Sequence, residues 1–138
     1  MPENRAQDEA AITAVLENVY KAWEANDADA FVADYTEDAT AIMPGSYREG
    51  REAIRRSMAA GYAGPLKGTS THNKQISVRF LGQDGAVVVS ESGILFPGET
   101  ELPSERAVHA SWVLERRDGR WLVAAYHNCP INPAPKAG

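Results

Sequence analysis

What most constrains this chain is a change of hydrophobic period partway along it, helical before Lys67 and two-residue alternation after it. Ile12, Val15, Leu16, Val19 and Trp23 recur at helical spacing, with Glu17, Asn18, Lys21 and Glu24 on the other side, and predict an amphipathic helix. Asn4 with Gln7 three residues on matches a capping box and sets its start near residue 5. Asn26 and Asp27 break the pattern, and either caps a second, shorter helix with Phe31, Val32 and Tyr35 on its apolar side. Residues 39–43 read as a short β-prone run ended by Pro44-Gly45. After Gly50 a third helix carries Ile54 and Met58 one turn apart and closes at Pro65.

Beyond Lys67, Gln75-Ile76-Ser77-Val78-Arg79-Phe80 alternates as a half-buried strand. Turn signals at Gly82-Gln83-Asp84-Gly85, in residues 97–103 and at Asp118-Gly119 delimit three more strands, over 86–96, 105–116 and 121–128. Helices first and strands last predict an α+β domain built on a meander of four antiparallel strands. Strands of about ten residues in so short a chain must coil strongly, and Gly93 inside an apolar strand reads as a bulge or bend. Apolar residues fall on both faces of these strands, and three short helices cover one face. A second copy is expected on the other, making a homodimer.

The 138 residues fit one domain, expected over 1–131, with a loose tail over 132–138 that has almost nothing to bury. Cys129 is the only cysteine, which excludes an internal disulfide and reads as a buried free thiol. The polar first ten residues do not resemble a secretory signal, and no apolar run approaches the roughly 20 residues that span a bilayer; a cytoplasmic protein, not a membrane one, is expected. A net charge of -5 opposes a phosphate backbone, so nucleic acid is not an expected partner. The Arg55-Arg56 and Arg116-Arg117 pairs then read as solvated faces.

Several local features occur in a recognisable order: Tyr20-Lys21-Ala22-Trp23 ending the first helix, Tyr35-Thr36-Glu37-Asp38-Ala39-Thr40 stepping into a strand, Met43-Pro44-Gly45, Gly50-Arg51-Glu52-Ala53-Ile54, and Asp118-Gly119-Arg120-Trp121 running to Tyr126-His127-Asn128. In this the chain resembles the SnoaL-like branch of the nuclear transport factor two-like superfamily, most closely its SgcJ/EcaC-type proteins, from about residue 7 to residue 130. The resemblance implies a cone-shaped barrel, the cystatin-like roll, in which three N-terminal helices close over a strongly curved antiparallel sheet. It also implies a dimer with a cavity for a small, largely apolar molecule. For SgcJ-type proteins it implies polyketide or enediyne antibiotic biosynthesis, with a biosynthetic enzyme as a partner. The superfamily holds isomerases, cyclases, dehydratases, epoxide hydrolases and binding modules alike, so fold does not choose the reaction. No dinucleotide fingerprint is present, and no cofactor is expected.

Among residues able to carry chemistry, His72, His109 and His127 all fall on predicted strands, where a neutral imidazole exchanges protons near pH 7. Without a bulge, His72 shares a face with Ile76, Val78 and Phe80, and His127 shares one with Trp121 and Val123. A two-residue Asp118-Gly119 turn sends His109 to the face opposite His127, and a three-residue turn sets it across from His127. Both registers stay open. The catalytic candidates are His127 as general acid or base, with His72 or a tyrosine hydroxyl orienting the substrate. Against these stand ordinary core or rim histidines satisfied by hydrogen bonds. No HxH or HExxH spacing suggests a metal.

In the ketosteroid isomerase branch the proton-abstracting aspartate precedes a proline, a place held here by Met43, so that mechanism does not carry over. Asp34 and Asp38 fit structural positions. The face of Glu91 is open; turned inward it would be a carboxyl of raised pKa. Tyr20, Trp23, Tyr35, Met43, Tyr62, His109 and Trp112 are the expected ligand contacts, the tyrosine hydroxyls needing partners when buried. Three functions follow: binding with acid/base catalysis such as cyclisation, isomerisation or dehydration; binding without catalysis by a dimer that supports a synthase; or hydrolysis, which needs cavity carboxylates around an arginine such as Arg106.

Overall fold

A computed structural model describes residues 2–132. Helix α1 (Pro2–Glu24) begins earlier than the expected residue 5. The capping box falls on Asn4, whose side chain lies outside the described residues, as do residues 133–138 of the expected tail. The periodic residues do what their spacing requires: Ile12, Leu16 and Val19 are buried, joined by Ala22. Asn26, in the left-handed region at φ 53, ends the helix, and its side-chain oxygen accepts from the Gly68 amide at 2.8 Å. Asp27 caps α2 (Ala28–Phe31), its carboxylate accepting from the Ala30 amide at 3.1 Å.

Tyr35 is not on this helix. It opens β1 (Tyr35–Met43), which starts four residues before the expected run, and Pro44-Gly45 turns β1 into an unexpected strand, β2 (Ser46–Glu49). Helix α3 (Arg51–Ala63) follows and buries Ile54, Met58 and Tyr62. The remaining strands are β3 (Ser70–Leu81), β4 (Gly85–Leu95), β5 (Val108–Arg117) and β6 (Arg120–Pro130), with a short 3-10 turn at Ser104–Arg106.

The sheet runs β2-β1-β6-β5-β4-β3. Strands β3 to β6 form the expected antiparallel meander. The addition is β1, which lies parallel to β6. Parallel neighbours need a long crossover, and here most of the chain intervenes. Helix α1 packs across the inner face against β3 and β6.

Two bulges decide which side chains point inward. In β3 the register slips at Ile76, between the pairs Gln75–Ser90 and Ser77–Val89. In β6 it slips at Ala124, between Val113–Ala125 and Leu114–Val123. Each extra residue exchanges the faces of everything beyond it. Gly93 is no bulge, for it pairs with His72 in regular register. Its lack of a side chain has another cause: a Cβ there would stand 2.4 Å from Leu102 Cδ1, so the glycine lets Leu102 pack onto the strand.

Arg116 also departs from its solvated-face reading. It is partly buried, pairs with Asp8 of α1 at 2.8 Å and Asp84 at 3.0 Å, and lies over the Trp121 ring, tying the helix to the sheet. The outer face is less covered: Val87, Val89 and Val113 are half-buried, and Ile42 and Tyr47 are exposed. No described helix is long and apolar enough to cross a membrane.

Candidate functional site

Between the helices and the inner face of the sheet lies a cavity of about 440 Å³, within the range of sites for drug-sized molecules. One row of paired residues crosses its floor: Arg48 on β2, Ala41 on β1, Tyr126 on β6 and Trp112 on β5. Val19, Tyr20 and Trp23 of α1 and Ile54 and Met58 of α3 form the roof. The aromatic walls brace one another edge to face, Tyr20 against Trp112 at 6.1 Å and Trp23 against Phe31 at 6.0 Å, while Trp112 and Tyr126 stand 4.5 Å apart. The Trp23 indole donates to Thr69 Oγ1 at 2.8 Å, and that hydroxyl donates to Leu66 O at 2.7 Å, which fixes the ring.

The charged groups of the lining are both arginines, and its hydroxyls and amides can donate or accept. Burial and the nearby Tyr126 push the Tyr20 hydroxyl up to about 12, against a hydrogen bond from Ser90. Burial raises Tyr35 well above the ordinary phenol range, and raises Tyr126 although Asn128 and Arg48 oppose it. All three phenols therefore keep their protons near neutrality. Asn128 Nδ2 donates to the Tyr126 oxygen at 2.8 Å, so the Tyr126 proton is left to point elsewhere. Burial lowers the pKa of Arg48, whose guanidinium nonetheless stays charged. Arg106 pairs with Glu99 and stacks over Phe96. Among the described residues the lining contains no histidine, carboxylate, lysine or cysteine.

The expected contacts Tyr20, Trp23, Tyr35, Met43 and Trp112 all line the cavity. Tyr62 does not; it is buried behind Trp23, ring centroids 5.8 Å apart, and its hydroxyl has no partner among the described residues. The three histidines are placed otherwise than expected, since all are exposed. The Ile76 bulge puts Thr71 and Asn73 on the cavity side of β3 and turns His72 outward. The Ala124 bulge lets Trp121 and Val123 face inward together with Tyr126 and Asn128, and sends His127 out, opposite Ser111. The Asp118-Gly119 turn is the two-residue kind, pairing Arg117 with Arg120, yet the bulge sets Ser111 rather than Ala110 across from His127. His109 therefore shares the outer face with His127 instead of opposing it.

His72 and His109 border a shallower outer concavity with Glu91 and Glu101, and no group of three metal-ligating side chains occurs there or elsewhere among the described residues. Glu91 is thus an outward residue. Cys129, expected to be buried, is exposed and opposite His109. Asp34 binds Arg120 at 2.7 Å, and exposed Asp38 is held below the usual carboxylate range, first by the Thr36 hydroxyl. Sequence reasoning missed Arg48, Tyr126 and Asn128. Arg48 sits on the unexpected β2, and the other two lie beyond the bulge that inverts the alternation of β6.

Three helices closing over a curved sheet around a hollow define the cystatin-like, nuclear transport factor two-like class of α+β fold. The family model of the SnoaL-like domain matches residues 12–132, and the chain belongs to that family. It is similar in structure to a cystatin-like domain of unknown function from Nostoc punctiforme, with 26% identity, TM-score 0.82, and 90% of this chain and 77% of that one covered. It is also similar to a nuclear transport factor two-like protein from Novosphingobium aromaticivorans, with 18% identity, TM-score 0.82, and 96% and 88% covered. A protein of the same organism, provisionally named a scytalone dehydratase, has 20% identity and TM-score 0.77, with both chains covered completely. No curated protein matches the chain.

Proposed function

We propose that this protein binds a small, largely apolar molecule in the cavity between α1, α3 and the inner face of the sheet. The observation that carries this reading is the lining itself: aromatic, aliphatic and thioether walls around about 440 Å³, with a few convergent donors.

Binding without turnover is the version the site chemistry favours. A general base needs a carboxylate, imidazole or comparable group within hydrogen-bond reach of the substrate, and the described lining offers protonated phenols and guanidinium groups instead. Proton transfer by His127 or His72 would require them on the other side of the sheet. Hydrolysis around Arg106 lacks its carboxylate cluster, since Glu99 is spent on the Arg106 ion pair. A catalytic version, cyclisation or dehydration of a substrate whose carbonyl is polarised by the Tyr126 hydroxyl, draws support from that free donor proton.

The SgcJ/EcaC-type resemblance adds the finer reading, a polyketide or enediyne intermediate as the ligand, sequestered for a synthase. The apolar outer face, with Val87, Val89, Val113, Ile42 and Tyr47, supports a homodimer formed sheet to sheet. Native mass spectrometry of protein isolated from its producing cells tests both. A dimer mass with a retained organic molecule, released by solvent, is expected. A bare monomer that also fails to bind the neutral dye Nile red would contradict the reading.

A further inference from the structure

We propose that the molecule taken by the cavity is an organic monoanion, an apolar body with one carboxylate received by Arg48. This rests on the cavity being a small-molecule site and names the class of ligand it selects. Arg48 lines the cavity at the β2 end of the floor, in one row with Ala41 and Tyr126. Its recorded hydrogen bond is from Nη1 to the Met58 thioether at 3.4 Å, and sulfur is a weak acceptor. It forms no ion pair among the described residues, whereas Arg106, the other arginine of the lining, is matched by Glu99. The walls therefore enclose one uncompensated positive charge with several free N–H donors.

A half-buried guanidinium in apolar surroundings is expensive to leave unmatched. The neighbouring groups do not relieve it. Tyr35 and Tyr126 are neutral phenols, and the Tyr126 oxygen already accepts from Asn128, leaving its proton to donate alongside the guanidinium. A lining with an unpaired cation and no acceptor of full charge fits a ligand group that is all acceptor. A carboxylate meets the planar guanidinium fork through both oxygens. A phosphate monoester would bring a second negative charge that no second unpaired cation of the lining offsets. The aromatic walls at the Tyr20–Trp112 side receive the apolar body.

Isothermal titration calorimetry of the full chain with 2-naphthoate, 2-naphthamide and 2-naphthyl phosphate tests the assignment. The carboxylate is expected to bind about tenfold tighter than the isosteric amide, as a charge-assisted hydrogen-bonded pair warrants. Arg48→Gln and Arg48→Met, checked for intact folding by circular dichroism, should bring the two affinities together. Equal binding of carboxylate and amide by the unmodified protein would overturn the anion assignment and leave the cavity reading standing. Tighter binding of the phosphate would overturn the monoanion. Failure of all three, and of Nile red, would remove both readings.

Discussion

Tyr126 and His127 are adjacent on β6 and leave the sheet by opposite faces, the phenol lining the cavity and the imidazole exposed. Which of the two faces inward is set by the single extra residue at Ala124. It moves the chemistry of the site from an imidazole to a phenol, since an unbroken strand would have turned His127 inward and Tyr126 out.

Replacing His72, His109 or His127 by Phe should leave binding of 2-naphthoate within about twofold and stability within about 0.5 kcal/mol, as for exposed positions generally. Calorimetry and urea unfolding check this. A tenfold loss of affinity from any of the three would mean that an imidazole reaches the cavity.

Tyr126→Phe removes a donor while keeping the ring that packs, tilted, against Trp112. Affinity for 2-naphthamide, whose carbonyl can accept that hydrogen bond, should fall about fivefold, the worth of one neutral hydrogen bond. 2-Methylnaphthalene, which has no acceptor, should be affected less. Equal losses for both ligands would show a packing role instead.

The tyrosines set an alkaline limit. The folded-state pKa of Tyr20 is raised to about 12, first by burial, above the unfolded value of about 10. A group raised in this way contributes stability that is complete below the unfolded pKa and lost as pH rises toward the folded one. Stability from this source should be flat from pH 6 to about 9.5 and decline between about 10 and 12, with Tyr35 adding to the fall. Thermal melts across this range, with tyrosinate absorbance at 295 nm, follow it. Tyr20→Phe should shallow the decline, and an unchanged profile would contradict the assignment.

Gly93→Ala would set a methyl group 2.4 Å from Leu102 Cδ1. A destabilisation of about 1–2 kcal/mol is expected, since overpacking forces side chains off their rotamers. Leu102→Ala in the same chain should recover most of it. No recovery would point to the backbone of β4 instead.

The sequence carries the fold because the period of its apolar residues is unambiguous where it matters. Ile12 to Trp23 cannot serve a strand, and residues 75–80 cannot serve a helix. The helix-to-strand boundary was harder: Phe31, Val32 and Tyr35 sit at helical spacing, yet α2 stops at Phe31 and Tyr35 begins β1. The aromatic lining was legible for the same reason as the core, since large apolar residues on inward faces are what both require. The polar part of the site formed by Thr71, Asn73, Tyr126 and Asn128 was not. Its residues lie past bulges at Ile76 and Ala124, and no residue type marks an inserted position inside an otherwise regular strand. Arg48 was hidden differently, on a four-residue strand too short for alternation to show.

The most direct measurement is a crystal structure of the protein grown with 2-naphthoate. The naphthalene ring is expected between Tyr20, Trp112 and Met58, its carboxylate against the Arg48 guanidinium. Density for the ligand only beside His72 and His109 on the outer face, with the inner hollow closed by its own side chains, would contradict that placement.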